Sequence, residues 1–242
     1  MRNRLEKQIK IPISWCDNHS QLNICGIFNL FMDLATEHGD EIGLGMDRLA
    51  QKGLFWVASK TKVKINSSPK MLDDVYTATW PEKPGRIRCN RYYYIKNNSI
   101  MLVEGKTEWV MVEAENGRPA KIDGAYPAEL EHCSDVVCEE PFCRLSTNFD
   151  DCEELAEYTV CSTDIDVSQH MNNVAYIRAV LGCFSTNEID AMNICEIDVS
   201  YRLQCYEGEK LSFRIKHEEN CREIGIIKED GTTACVMRFV GR

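Results

Sequence analysis

Two stretches of this chain, DNHSQLN at Asp17–Asn23 and DVSQHMN at Asp166–Asn172, each open on aspartate, close on asparagine six residues later and lead into an apolar helical pattern. The flanks repeat as well. Ahead of the first, QIKIPISW alternates, with Ile9, Ile11, Ile13 and Trp15 on one face, which predicts a half-buried strand. After it, Ile24, Ile27, Phe28, Phe31, Ala35 and His38 recur at three- and four-residue steps, and Gly39 stands at a helix C-cap position, predicting an amphipathic helix of about four turns. Ahead of the second stretch runs EYTVCSTDIDV, and behind it Val174, Ile177, Leu181 and Phe184 share a helical face. An internal duplication of this kind constrains the fold more than any single motif, because both halves must build the same unit.

Each helix is followed by strand-like segments. In the first half they are WVASKTKVKI, DVYTATW, RCNRYYYIK and SIMLVEGKTEWVMV, the last two joined across Asn97-Asn98. In the second they are EIDVSYRLQCY, EKLSFRIKHEE and a hairpin turning at Asp230-Gly231. Between the halves, Pro119 to Cys152 holds three of the seven prolines and no sustained periodicity. The expected organisation is one unit over residues 1–130, a linker over 131–152 and a second unit over 153–242. A single long helix packed on a curved antiparallel sheet buries such a helix on all its apolar sides, so the class is α+β. In element order it resembles a tandem double hotdog.

Composition narrows the function. A net charge of −10 without a long basic stripe argues against a nucleic-acid binder, since phosphate binding needs concentrated Lys and Arg. No apolar run reaches the length of a membrane span; the best candidate, CGIFNLFMDLA, is broken by Asn29 and Asp33. The beginning, MRNRLEKQIKIPISW, lacks the apolar core and cleavage site of a leader, so a cytoplasmic location is expected. Thirteen cysteines, an odd count in a long chain, read as reduced thiols rather than a disulfide framework. Cys133, Cys138 and Cys143 are evenly spaced but lack the paired spacing of zinc ribbons, so no metal or other cofactor is expected. One basic group, Lys83, Arg86, Arg88 and Arg91 around a Pro-Gly turn, reads first as a solvated face and otherwise as a patch for an acidic partner.

The chemistry concentrates in the second stretch. Helix capping by Ser, Asp and Asn accounts for Asn172 or Asn173, but starting a helix needs neither His170 nor Asp166. With the two stretches aligned, Gln21 faces His170 and His19 faces Ser168, so only the second half keeps an acid-base set. One active site per chain follows.

DIDVSQHMNNVAYI resembles the motif of plant and bacterial acyl-acyl carrier protein thioesterases, D-x-D-x-N-x-H-x-N-N-x-x-Y, with Asp164, Asp166, His170, Asn172, Asn173 and Tyr176 in place. VSYRLQCYEGEKLSF resembles the strand that carries Y-R-x-E-C, and the first-half strands are similar to that family's first half. The resemblance implies a double hotdog that hydrolyses the thioester between a fatty acyl chain and the phosphopantetheine arm of acyl carrier protein. It implies Asp166 and His170 as catalytic residues, Asn172 and Asn173 at the substrate, and a first half that chiefly shapes the acyl pocket. Two positions depart from the pattern: Ser168 stands where the family usually has Asn, and Gln204 where it usually has a catalytic Glu, with Cys205 beside it. An amide takes no proton from water. Either His170, oriented by Asp166, activates a water that Gln204 and Ser168 position, or Cys205 is the nucleophile and His170 takes its proton. Arg86 and Arg88 fit an acidic carrier. The alternatives are a non-catalytic acyl-carrier or acyl-chain binding protein, which Gln204 suggests, and an acyl-CoA thioesterase. A monomer or a homodimer both fit.

Overall fold

The computed structural model describes residues 3–122, 125–127 and 130–242. It divides into two compact units, Met1–Ser59 with Val63–Glu140, and Lys60–Lys62 with Pro141–Arg242.

In the first unit, β1 (Leu5–Lys10), β3 (Asp74–Pro81), β4 (Arg88–Asn97), β5 (Ile100–Glu113) and β2 (Leu54–Ile65) follow one another across the sheet in that order. β1 pairs antiparallel with β3, β3 with β4 and β4 with β5. Helix α1 (Ile24–Glu41) is followed by a single turn, α2 (Met46–Ala50). Asn23 starts α1 by accepting the Gly26 N–H at 2.8 Å. The helix buries Ile27, Phe28, Leu30, Phe31, Leu34, Ala35 and His38, and Phe31 stacks on Tyr93 of β4 with ring centroids 4.4 Å apart. Each of the Ile, Leu and Phe side chains among these stabilises the unit by about 1.5–3 kcal/mol through burial. Gly26 permits this seating, because a Cβ there would meet Leu22 at 2.8 Å and Trp15 at 2.9 Å.

Two expectations for this half are corrected. The first strand ends at Lys10, and Ile13–Trp15 form a 3-10 turn with Ile13 74% exposed. Pro12, which has no N–H for a ladder, breaks the alternation there. The helix also runs through Gly39 to Glu41, and the left-handed residue that turns the chain away is Gly43, with φ +76°. Arg91 differs as well: it is buried on β4, not part of a surface patch with Lys83, Arg86 and Arg88.

In the second unit, β6 (Glu153–Thr159), β8 (Lys210–Glu218), β9 (Cys221–Lys228), β10 (Thr233–Gly241) and β7 (Ile194–Tyr201) form an antiparallel sheet in that order. Helix α3 (Asn173–Leu181) lies against β7 through the Tyr176–Tyr201 ring pair and a bond from the Tyr201 hydroxyl to the Asn173 carbonyl at 3.2 Å. The helix is shorter than the apolar pattern predicts. It stops at Leu181, Phe184 falls outside it, and a new helix, α4 (Thr186–Met192), starts on a Ser185–Glu188 capping box. Likewise β7 ends at Tyr201, so Gln204 and Cys205 lie in the segment beyond the strand rather than on it. Among the described residues, no helix is long and apolar enough to cross a membrane.

The duplication is visible at the level of single bonds. The 3-10 turn Ile13–Trp15 has its counterpart in Ser162–Asp164, and the bridge between Cys16 and Leu22 in one between Ile165 and Met171. Ser20 and Gln169 hold the same left-handed backbone, φ 58° and 63°. The Asn23 N–H donates to the Trp15 carbonyl, and the Asn172 N–H to that of Asp164, both at 2.8 Å. The alignment through the two aspartates is therefore a true structural register.

Candidate active site

The loop from Ile165 to Asn172 is a short reversal closed on itself. The Asp166 N–H donates to the His170 carbonyl at 3.1 Å and the Gln169 N–H to the Asp166 carbonyl at 3.0 Å. The Asp166 carboxylate accepts the Ser168 N–H at 2.8 Å and reaches the Asn172 amide at 3.4 Å. Asn172 in turn caps α3, its Oδ1 accepting the Val174 N–H at 2.7 Å. That leaves the Asn173 N–H, in the first turn, without an acceptor among the described residues. A helix N-terminus with an unused N–H favours a developing negative charge.

Beneath the loop sits Asp164, a motif position to which sequence reading gave no role. Asp164 is 2% exposed, and it accepts the Tyr158 hydroxyl at 2.7 Å, the Cys161 N–H at 2.9 Å and Arg178 Nη2 at 2.7 Å. Burial by itself would raise this carboxyl, but the bonds from Tyr158, Cys161 and Arg178 outweigh it and hold the group below its ordinary 3.8. The Asp164 carbonyl also takes the Asn172 N–H, so the clasp fixes where the helix cap begins.

His170 is half-buried, and its Nδ1 faces the Met171 carbonyl at a long 3.4 Å. A proton on Nδ1 leaves Nε2 as the lone-pair nitrogen. The Asp166 carboxylate makes no hydrogen bond to this ring; the two residues are tied through the backbone instead. The expectation that Asp166 orients the imidazole directly is thus replaced by one in which Asp166 shapes the loop that carries it.

The segment with Gln204 is joined to this loop. The Met171 N–H donates to the Cys205 carbonyl at 2.8 Å, placing His170 and Gln204 each one residue from the same bond. Tyr176 of α3 spans Gln204: its hydroxyl accepts the Cys205 N–H at 3.1 Å and donates to the Leu203 carbonyl at 3.4 Å. Gln204 Oε1 accepts from the Tyr206 hydroxyl at 2.8 Å, which leaves its NH2 to donate outward. Ser168 is exposed at the loop tip. Cys205 is wholly buried, and burial pushes its thiol up, against a smaller lowering by Tyr176. A reactive cysteine needs exposure and a stabilised thiolate, and this one has neither.

Asp166, Ser168, His170, Asn172, Asn173, Gln204 and Cys205 all belong to the second unit, whereas Arg86 and Arg88 belong to the first. Arg86 is exposed, and Arg88 Nη1 is engaged by both oxygens of Glu108 at 3.3 Å. Of these connections, only the Asp–Asn spacing and the helix cap carried a sequence signal. The Asp164 clasp depends on Tyr158 and Arg178, whose separation along the chain gives no period to read.

Comparison with known proteins shows what the whole chain is similar to. The sequence profile of the acyl-ACP thioesterase N-terminal domain matches residues 2–130, and that of the acyl-ACP thioesterase C-terminal domain residues 148–237. An oleoyl-acyl carrier protein thioesterase of Arabidopsis thaliana is 26% identical over 200 residues, which are 76% of this chain and 55% of that protein. A palmitoyl-acyl carrier protein thioesterase of Cuphea hookeriana is 28% identical over 199 residues, covering 74% and 46%. Both relatives are chloroplastic, and the chain spans about half their length. Among solved structures, an acyl-ACP thioesterase from Bacteroides thetaiotaomicron superposes with a TM-score of 0.90 at 20% identity, over 98% of this chain and 97% of that one. The 12:0-ACP thioesterase of Umbellularia californica gives 0.85 at 17%, over 100% and 98%. These likenesses establish the double-hotdog fold.

Proposed function

The chain belongs to the acyl-ACP thioesterase family, and from that premise we propose that it hydrolyses the thioester of a fatty acyl chain carried on acyl carrier protein, releasing the free fatty acid. The observation that carries the reading is the junction of the His170 loop with the Gln204 segment through the Met171–Cys205 and Tyr176 bonds. In this reading the junction brings a base and a donor to the start of α3.

In this mechanism water is the nucleophile. Nε2 of His170 takes its proton as the oxygen attacks the thioester carbon, and the protonated imidazole then supplies a proton to the departing thiolate. The Asn173 N–H and the N-terminus of α3 stabilise the oxyanion, a donor of that kind typically contributing about 3 kcal/mol. Gln204 acts through its NH2, as a donor that holds the water or the carbonyl oxygen, because a carboxamide cannot serve as the base. Asp166 and Ser168 keep the loop in shape, and Asn172 fixes the helix start. Arg86, exposed on the first unit, suits an acidic carrier protein, with Arg88 offering less because Glu108 already holds it. The chain acts in the cytoplasm, as a monomer or a homodimer.

Gln204 also favours a second reading, an acyl-carrier binding protein that has lost turnover. Fatty acid release from acyl carrier proteins of graded chain length separates the two. Release that disappears in His170→Ala supports the hydrolase. No release despite measurable binding, with activity emerging in Gln204→Glu, establishes the binding protein instead.

A further inference from the structure

The segment beyond β7 sets two polar side chains against each other. Gln204 and Tyr206 stand two residues apart with Cys205, wholly buried, between them. In extended chain that spacing puts the outer two side chains on one side and the middle one on the other. The Tyr206 hydroxyl donates to Gln204 Oε1 at 2.8 Å. Tyr206 is 47% exposed, so burial does not explain its ring.

Nor does the turn it opens. The Tyr206 N–H donates to Glu209 Oε2 at 3.1 Å, and its carbonyl accepts the Glu209 N–H at 3.1 Å. Both bonds use only the backbone of residue 206, and any residue but proline would make them. The ring is nonetheless held. Lys228 Nζ stands 5.7 Å from its centroid, and Lys228 is itself fixed by Glu209 Oε1 at 3.0 Å. All of these residues belong to the second unit. An accessible phenol steadied in this way, with its hydroxyl on one particular oxygen, has a task at that oxygen.

A carboxamide needs such a partner. Its oxygen accepts and its nitrogen donates, and half a turn about its last torsion, which is broad and two-fold, exchanges the two. A bond that pins the oxygen leaves the NH2 as the end for a water or a carbonyl oxygen. We infer that Tyr206 is a positioning residue for the hydrolysis: its hydroxyl pins the Gln204 oxygen and so makes residue 204 a fixed donor. The inference rests on the acyl-thioester reading above, in which Gln204 works through its NH2. Tyr206 itself touches neither the substrate nor the attacking water. Glu209 and Lys228 hold the turn and the ring from which it acts.

The test is a double-mutant cycle in steady-state release of fatty acid from acyl carrier protein, using the unaltered chain, Tyr206→Phe, Gln204→Ala and the two combined. Tyr206→Phe keeps the ring beside Lys228 and should lower kcat about fivefold, as the loss of one hydrogen bond does, with KM little changed. On Gln204→Ala the same substitution should change nothing, since no carboxamide remains to orient. A full kcat in Tyr206→Phe, or a loss that persists on Gln204→Ala, overturns the role. The pH profile gives a reading independent of the cycle. In Gln204→Glu the hydroxyl would donate to a carboxylate and favour its charged form, so adding Tyr206→Phe should move the acid limb of kcat to higher pH. A limb that stays in place also overturns the role, and this pair carries the comparison should Gln204→Ala turn over too slowly. Release by the unaltered protein with an additive cycle rejects this inference alone. Absence of that release rejects the hydrolase reading, and the role of Tyr206 with it.

Discussion

Replacing Asp164 by Asn removes one charge while leaving the side chain's shape intact. Three donors converge on that carboxylate, from Tyr158, Cys161 and Arg178, and the group is 2% exposed. A hydrogen bond to a charged group contributes about 1.5–3 kcal/mol. The Arg178 side chain is 56% exposed, so its share falls to the surface ion-pair range, under about 1 kcal/mol. Asparagine keeps one acceptor oxygen but turns an NH2 towards a donor, and the net loss works out at about 2–4 kcal/mol. The pH dependence has a definite sign. Because the folded carboxyl is held below its ordinary 3.8, its contribution is complete above that value and is lost as pH falls through the lower folded one. Urea unfolding of both proteins at neutral pH and at successively more acid pH should show a gap that is full at neutrality and closes only in strong acid. A gap of the same size throughout, or one under about 0.5 kcal/mol at neutral pH, would refute the clasp as an electrostatic device.

Tyr176→Phe leaves the Cys205 N–H buried without its acceptor, which should cost about 1–3 kcal/mol and lower kcat more than it raises KM, because Gln204 loses its brace; unchanged kcat and stability would count against the bracing role. In the second unit Lys62, 4% exposed at its side chain, meets Glu196 at 2.6 Å and Asp198 at 2.9 Å. Lys62→Met should destabilise by about 3–5 kcal/mol by stranding Asp198, and adding Asp198→Asn should restore much of it, as a denaturation cycle would show.

Much of the architecture was legible before any coordinates, for reasons that lie in particular residues. Strand-like composition marked β3, β4 and β5, and Asn97-Asn98 marked the hairpin between β4 and β5, where Asn98 indeed turns with φ 50°. The matched aspartates and asparagines paired the two loops correctly because a reversed loop that closes on its own backbone needs those side chains at fixed spacing. Where reading failed, a local rule was overridden. Pro12 ended a strand whose alternation continued past it, Gly39 was absorbed into a helix whose neighbours had enough buried contacts to hold it, and Ser185 restarted a helix that the apolar pattern had run together. Arg91 looked like surface because its letter is basic, yet β4 turns it inward.

The sequence by itself determined the α+β class, the duplication and the succession of strands and helices along each half, since all of these follow from periodicities and spacings that act over a few residues. What only the tertiary structure decided is which groups meet: that Asp166 braces a loop rather than a ring, that Cys205 is sealed while Gln204 takes the Tyr206 hydroxyl, that Asp164 gathers Tyr158 and Arg178, and that Arg91 is turned inward onto His38. Such meetings depend on strand register and helix seating between segments far apart in the chain. Burial, which turns a hydroxyl or a carboxylate from a solvated group into a demanding one, exists only once those segments have packed.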